Sequence, residues 1–246
     1  MSKIIVITGA GIGLGRALAR SFANDGDRVV LMGRTFSKVQ AAAHDIGERA
    51  MPVECDVADP ASVKAAFARV AERYPRIDVL INNAAVYEPF LVAEASDAQI
   101  MNTIAINLGG AILCARAAIP RMGRGAHIIN VSSEAVETLH LPQMLLYACS
   151  KAGLERFTLG LHRELEPSGI RVSTVRAGAM MEPGKTWNVD PAARMRFGKA
   201  AMEAGINLLE RPISQFTSVT QVFRSLIDLP EDLHSVTVTL HARKPA

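Results

Sequence analysis

Short apolar, often β-branched runs recur along the chain, each followed by a stretch whose apolar residues return every three to four positions. Residues 4–7 (Ile-Ile-Val-Ile) form the first run, too short for a helix and suited to a strand buried on both faces. Residues 16–23 then read as a helix with one apolar stripe. The alternation continues with strands predicted at 28–32, 51–54, 79–81, 126–131 and 171–175. Helices are predicted at 36–47, 61–74, about 97–122, 146–165 and 218–228, with a last alternating strand at 236–240. Asp59-Pro60 marks one helix start, with proline in the first turn. No linker-like break interrupts the alternation, which predicts a single α/β domain over residues 1–246, a doubly wound parallel sheet whose ligands sit at the strands' carboxyl ends. Residues 178–214 depart from the rhythm, with helical fragments and no strand pattern, and are read as a substrate-binding insertion.

Composition narrows the field. With 49% hydrophobic residues the chain can bury a large core, while a net charge of +3 without a basic block gives no reason to expect nucleic acid or an anionic membrane as partner. Cys55, Cys114 and Cys149 leave an odd thiol and no metal spacing, which suits a reducing cytoplasm. The six histidines are likewise scattered, so no metal is expected. Lys3 and the apolar run after it could imitate a secretion signal, but glycines interrupt the run. The apolar helix around 104–115 is expected to be broken by Asn107, short of a membrane span.

Two motifs carry chemistry. After the first strand comes Thr8-Gly9-Ala10-Gly11-Ile12-Gly13-Leu14-Gly15, then a helix. Strand, glycine turn and helix in that order are the context a Rossmann-type dinucleotide fingerprint requires, because glycines admit a tight turn and a close approach to pyrophosphate. The second motif is Tyr147-Ala148-Cys149-Ser150-Lys151, shortly after Ser132-Ser133. On a helix, residues four apart share a face. A cation there would lower the phenol's pKa from about 10 and make Tyr147 a workable general acid/base.

Together these residues closely resemble the short-chain dehydrogenase/reductase family over nearly the whole chain. The family's glycine motif is matched by Thr8, Gly9, Gly13 and Gly15, its Asp-Val pair by Asp56-Val57, and its Asn-Asn-Ala-Gly by Asn82-Asn83-Ala84-Ala85. Asn107, Ser133, Tyr147 and Lys151 match its catalytic set. The resemblance implies that Ser133 bonds the substrate oxygen and that Tyr147 gives or takes its proton. It implies that Lys151 lowers the phenol pKa and binds the nicotinamide ribose, and that Asn107 holds the backbone and water linking Lys151 to solvent. It also implies cofactor contacts from Gly9, Gly11, Ile12, Gly13, Leu14, Gly15, Asp56, Val57, Asn83, Ala84, Tyr147, Lys151 and Met180. Ser132 is read as facing away from Ser133's side of the strand.

Several positions depart from the family. Ala85 replaces a glycine and would be strained if its φ were positive. Ala177-Gly178 stands for Pro-Gly, and Glu182 for a threonine. Where NAD-selective enzymes place a carboxylate, about 20 residues beyond the glycine turn, this chain has Gly33 followed by Arg34, with Thr35, Ser37 and Lys38 as further donors. A guanidinium suits a 2′-phosphate, which predicts NADP(H). The expected activity is interconversion of a ketone and a secondary alcohol. Alternatives left open are a dinucleotide-binding regulatory or scaffold protein, a 3-oxoacyl-type reductase, and a dehydratase or epimerase. Hydrophobic substituents on the substrate are predicted from Leu139, Leu141, Met144 and Leu145 in the 134–146 loop, and from Met180, Met181, Trp187, Met195, Phe197 and Met202 in the insertion. Lys185, Arg194 and Arg196 are the insertion's noted cations, and His140 lies in the loop expected to face substrate. A homodimer or homotetramer is implied through the 97–122 and 146–165 helices.

Overall fold

The computed structural model describes residues 2–137, 141–181 and 189–243. Seven parallel strands lie in the order β3-β2-β1-β4-β5-β6-β9: β3 Ala50–Glu54, β2 Arg28–Gly33, β1 Ile4–Thr8, β4 Val79–Asn82, β5 His127–Ser133, β6 Arg171–Ala177 and β9 Thr237–Thr239. The order reverses between β1 and β4, the switch point at which open α/β sheets bind ligands.

The strands are apolar on both faces because each face is covered. Ile5 and Ile7 of β1, Val29 and Leu31 of β2, and Ile129 and Val131 of β5 pack under α1 (Gly13–Asn24), α2 (Phe36–Ile46) and α8 (Phe216–Ile227). The alternate residues Val6, Val30, Leu80 and Ile128 pack on the other side. There they meet α3 (Pro60–Arg73), α5 (Gly110–Ala118) and α6 (Leu145–Leu165). Asp59 caps α3 as its sequence predicts, accepting from the N–H groups of Ala61 and Ser62.

Two expectations need correction. Asn107 does not break its helix: α4 (Asp97–Ile104) passes through a single π turn, Ala105–Gly109, directly into α5. The combined helix is long and apolar enough by composition to cross a membrane, yet Cys114, Ala115 and Ala118 use that apolarity in packing beneath the sheet. The insertion is not wholly without strands either. β7 (Met180–Met181) pairs with β8 (Ser214–Gln215), two-residue pieces too short to leave a periodicity, on either side of α7 (Pro191–Glu203).

Candidate active site

The glycine turn is held by the ends of β1 and β4. The N–H groups of Asn83 and Ala84 donate to Thr8 Oγ1 at 3.0 and 3.1 Å, and Asn83 Nδ2 donates to the carbonyls of Thr8 (3.0 Å) and Gly9 (3.3 Å). Gly9 and Gly13 take φ of +65° and +59°, backbone that side-chain-bearing residues rarely adopt. A Cβ on Gly9 would stand 2.8 Å from the Ala84 Cα.

Above this turn opens a cleft of about 430 Å³. It is lined by the expected Gly9, Gly11, Ile12, Gly13, Leu14, Arg34, Asp56, Val57, Asn83, Ala84 and Met180. Gly15 does not line it. A Cβ there would meet the Gly9 carbonyl at 2.5 Å and Asn83 Nδ2 at 2.6 Å, so Gly15 lets α1 pack against the turn. Gly33, Thr35 and Lys38 join the lining beside Arg34, whereas Ser37 does not. Arg34 is exposed and has no ion-pair partner among the described residues. Ile12 gives α1 no side-chain cap, leaving its first N–H groups for an anion. A glycine cradle, an uncapped helix start and a cation at the far end fit a dinucleotide. Ala85, whose strain was in question, has no positive φ; the sole side-chain-bearing residue with one among the described residues is Gln143.

The four expected catalytic residues come together from three elements. Asn107, buried in the π turn, accepts from Val86 N–H at 2.8 Å and donates to Val86 O (3.0 Å) and Ser150 Oγ (3.1 Å). Ser150 Oγ in turn donates to the Tyr147 carbonyl at 2.7 Å. The side chain of Asn107 thus ties the loop after β4 to the first turns of α6. Ser133, at the end of β5, is hydrogen-bonded through its side chain to Tyr147 and accepts from Ala135 N–H at 3.2 Å. Ser132 points the other way, donating to Glu155 at 2.7 Å. Lys151 is buried, its ammonium donating to Val131 O at 2.7 Å and lying 5.9 Å from the Tyr147 ring centroid.

The electrostatics differ from the expectation that Lys151 dominates the phenol. Burial pushes the Tyr147 phenol above its ordinary value, its bond to Ser133 works in the opposite sense, and the Glu134 carboxylate adds to the rise. Burial also lowers Lys151, to about 8. Neither Tyr147 nor Lys151 lines the glycine cleft. Tyr147 packs with Tyr87, Ile206 and Leu208 against the buried Leu141, Met144 and Phe197.

Several members of this second region were not foreseen. Tyr87 meets Tyr147 edge to face, with centroids 5.0 Å apart, and burial raises its phenol to about 12. Arg211 is ion-paired with Glu134, the residue after Ser133. Arg176 grips Glu155 of α6 at 2.9 and 2.7 Å and also pairs with Glu137. None of these residues carries a period or a motif spacing. Other expected wall residues are displaced: Leu145, Met195 and Met202 are exposed, as are Arg194 and Arg196. Leu139, His140, Glu182, Lys185 and Trp187, like the side chain of Met181, lie outside what is described.

Comparison with known proteins gives a concordant result. The family model for short chain dehydrogenase matches residues 3–190. Carbonyl reductase family member 4 of Danio rerio is 30% identical over 221 residues, covering 86% of this chain and 93% of that protein. D-threitol dehydrogenase of Mycolicibacterium smegmatis is 36% identical over 178 residues, covering 70% and 68%. A short chain dehydrogenase from Burkholderia cenocepacia J2315, solved in complex with NADP, superposes with a TM-score of 0.82 at 27% identity, covering 97% of this chain and 96% of that one.

Proposed function

The chain belongs to the short-chain dehydrogenase/reductase family of nicotinamide-dependent oxidoreductases, and from that premise we propose an NADP(H)-dependent carbonyl reductase or alcohol dehydrogenase acting on hydrophobic ketones and secondary alcohols. The observation that carries this reading is the hydrogen-bonded pair Ser133–Tyr147, with the apolar cluster of Leu141, Met144 and Phe197 packed against the tyrosine. Gly9, Gly11, Ile12, Gly13 and Leu14 would hold the pyrophosphate, Asp56 and Val57 the adenine end, and Arg34 the 2′-phosphate. The bound nicotinamide supplies or accepts hydride.

The chain's own part is to bind the carbonyl oxygen and move one proton. Ser133 Oγ donates to that oxygen as charge builds on it. Tyr147 gives up its phenolic proton to the developing alkoxide, and in the oxidative direction takes it back. A phenol held high by burial stays protonated at neutral pH, the form a reductase needs. Lys151, cationic below about 8, favours the phenolate left after transfer. Asn107 and Ser150 fix the backbone from which Tyr147 and Lys151 project.

The cofactor preference rests on Arg34 and the lack of any acid at residues 33–38. The NADP complex from Burkholderia and an NADPH complex of a blue fluorescent protein from a metagenomic library, 25% identical, support it by analogy. A panel of neutral ketones, oxo-acids and thioester-linked 3-oxoacyl groups, assayed with NADPH and NADH by absorbance of the reduced nicotinamide, tests the reading. Turnover of apolar ketones with NADPH is expected. Activity confined to oxo-acids or acyl thioesters, or equal kcat/KM with the two cofactors, overturns it.

A further inference from the structure

A half-buried ion pair stands next to the reacting hydroxyls. Glu134 follows Ser133 in the chain and its side chain is 13% exposed; Arg211, at the end of the insertion, is 22% exposed and pairs with Glu134 Oε1. Both charges act on Tyr87 and Glu134 also acts on Tyr147, so the pair lies near the two edge-to-face rings. Glu134 Oε2 also faces His241, 3.4 Å away, and packs over Gly178, where a Cβ would meet it at 3.2 Å. Among the described residues Glu134 is the only acid paired with Arg211.

The cluster packed around Tyr147 is uncharged among the described residues: Tyr87, Leu141, Met144, Phe197, Ile206 and Leu208. Among the described residues Arg211 is the guanidinium paired beside this cluster, and its charge is cancelled in place. A guanidinium in a largely desolvated site binds a carboxylate through paired, charge-assisted hydrogen bonds, and the Glu134 carboxylate already occupies that role. An anionic substrate would have to displace Glu134 or sit beside it, and either exposes it to a like charge in a medium of low dielectric.

We propose that Glu134 and Arg211 form an internal charge mask that sets substrate specificity, keeping the site at Tyr147 selective for neutral carbonyl compounds by occupying the guanidinium that would otherwise accept a substrate carboxylate. The inference rests on the catalytic reading above and deepens it, since it names what the site rejects and by which residues. It also predicts how the preference is reversed: remove the carboxylate, keep the guanidinium.

The test compares methyl 4-oxopentanoate with 4-oxopentanoate, a neutral ester and the matching anion, in wild type, Glu134→Gln, Arg211→Leu and the double variant. Calorimetric affinity for the protein–NADPH complex is measured alongside kcat/KM. The anion-to-ester ratio should rise at least about tenfold in Glu134→Gln by both measures, one decade being the scale of a single charge-assisted contact. It should fall below the wild-type value in Arg211→Leu, where Glu134 is left uncompensated. The double variant should lose the gain seen in Glu134→Gln. An unchanged ratio in Glu134→Gln, or an equal rise in the double variant, overturns the mask. If Glu134→Gln does not fold, the Arg211→Leu ratio decides, and a value at or above wild type counts against the proposal. Affinity without turnover in wild type would sink the catalytic reading alone, because the binding ratios still report on the pair.

Discussion

The two sides of Tyr147 are built on opposite plans. The cleft over β1 and β4 is built on backbone, a glycine turn, an uncapped helix start and the strand ends, fixed by Thr8 and Asn83, with Arg34, Met180 and Phe216 at its margins. The cap on the other side is made of side chains from four separate segments, contributing Tyr87, Leu141 and Met144, Phe197, and Ile206 with Leu208. Backbone walls suit a ligand that every member of a family shares, since they read phosphate and shape. Side-chain walls can change without disturbing the sheet, so specificity belongs there. Tyr147 and Lys151 stand at the seam: neither lines the cleft, the tyrosine packs on the cap and the lysine donates to Val131 near the end of β5.

Tyr147→Phe separates the two plans with the largest effect. It removes one hydroxyl at the seam and leaves the glycine cleft untouched, so kcat should fall about 10²–10⁴-fold while NADPH affinity is unchanged. Stopped-flow turnover with fluorescence titration of NADPH checks both. Retention of more than about a tenth of kcat would remove Tyr147 as the proton donor.

Lys151→Met probes the cost of placing a charge at the seam. Lys151 is depressed from 10.5 to about 8 by burial, so between those values the unfolded chain binds the extra proton and stability rises with pH. Relative to Lys151→Met, the unmodified protein should therefore gain about 3 kcal/mol between pH 7 and pH 10.5, since each pKa unit is worth about 1.4 kcal/mol. Urea unfolding of both proteins at those pH values measures the difference. A gap that does not change with pH would mean that the ammonium is not desolvated as described.

Arg34→Glu acts only on the cleft and should be the mildest of the three. It places a carboxylate beside Gly33, where it can accept from a ribose hydroxyl and repel a 2′-phosphate. The ratio of kcat/KM for NADPH over NADH should drop by at least about tenfold, the worth of one charge-assisted contact, with kcat on the preferred cofactor kept. An unaltered ratio would show that Arg34 does not read the phosphate.

Much of the cleft was legible in the chain because its parts are contiguous. The turn from Thr8 to Gly15, the pair Asp56-Val57 and the end of β2 at Gly33-Arg34 each sit within one local segment, and the strand-helix period locates them. Gly15 shows a second reason for a glycine in this motif, packing: the Gly9 carbonyl stands 2.5 Å from where its Cβ would be. Asn107 was singled out, but not the π turn that lets the helix continue through it. The sequence by itself determined the alternating sheet, the dinucleotide cleft and that Ser133 and Lys151 come to Tyr147, since periodicity, turn chemistry and motif spacing are local properties. Only the tertiary structure decided that the Tyr87 ring meets Tyr147 edge to face, that Arg211 reaches back to Glu134, and that burial raises the Tyr147 phenol. Those outcomes depend on which distant side chains exclude water together, and no spacing along the chain encodes that.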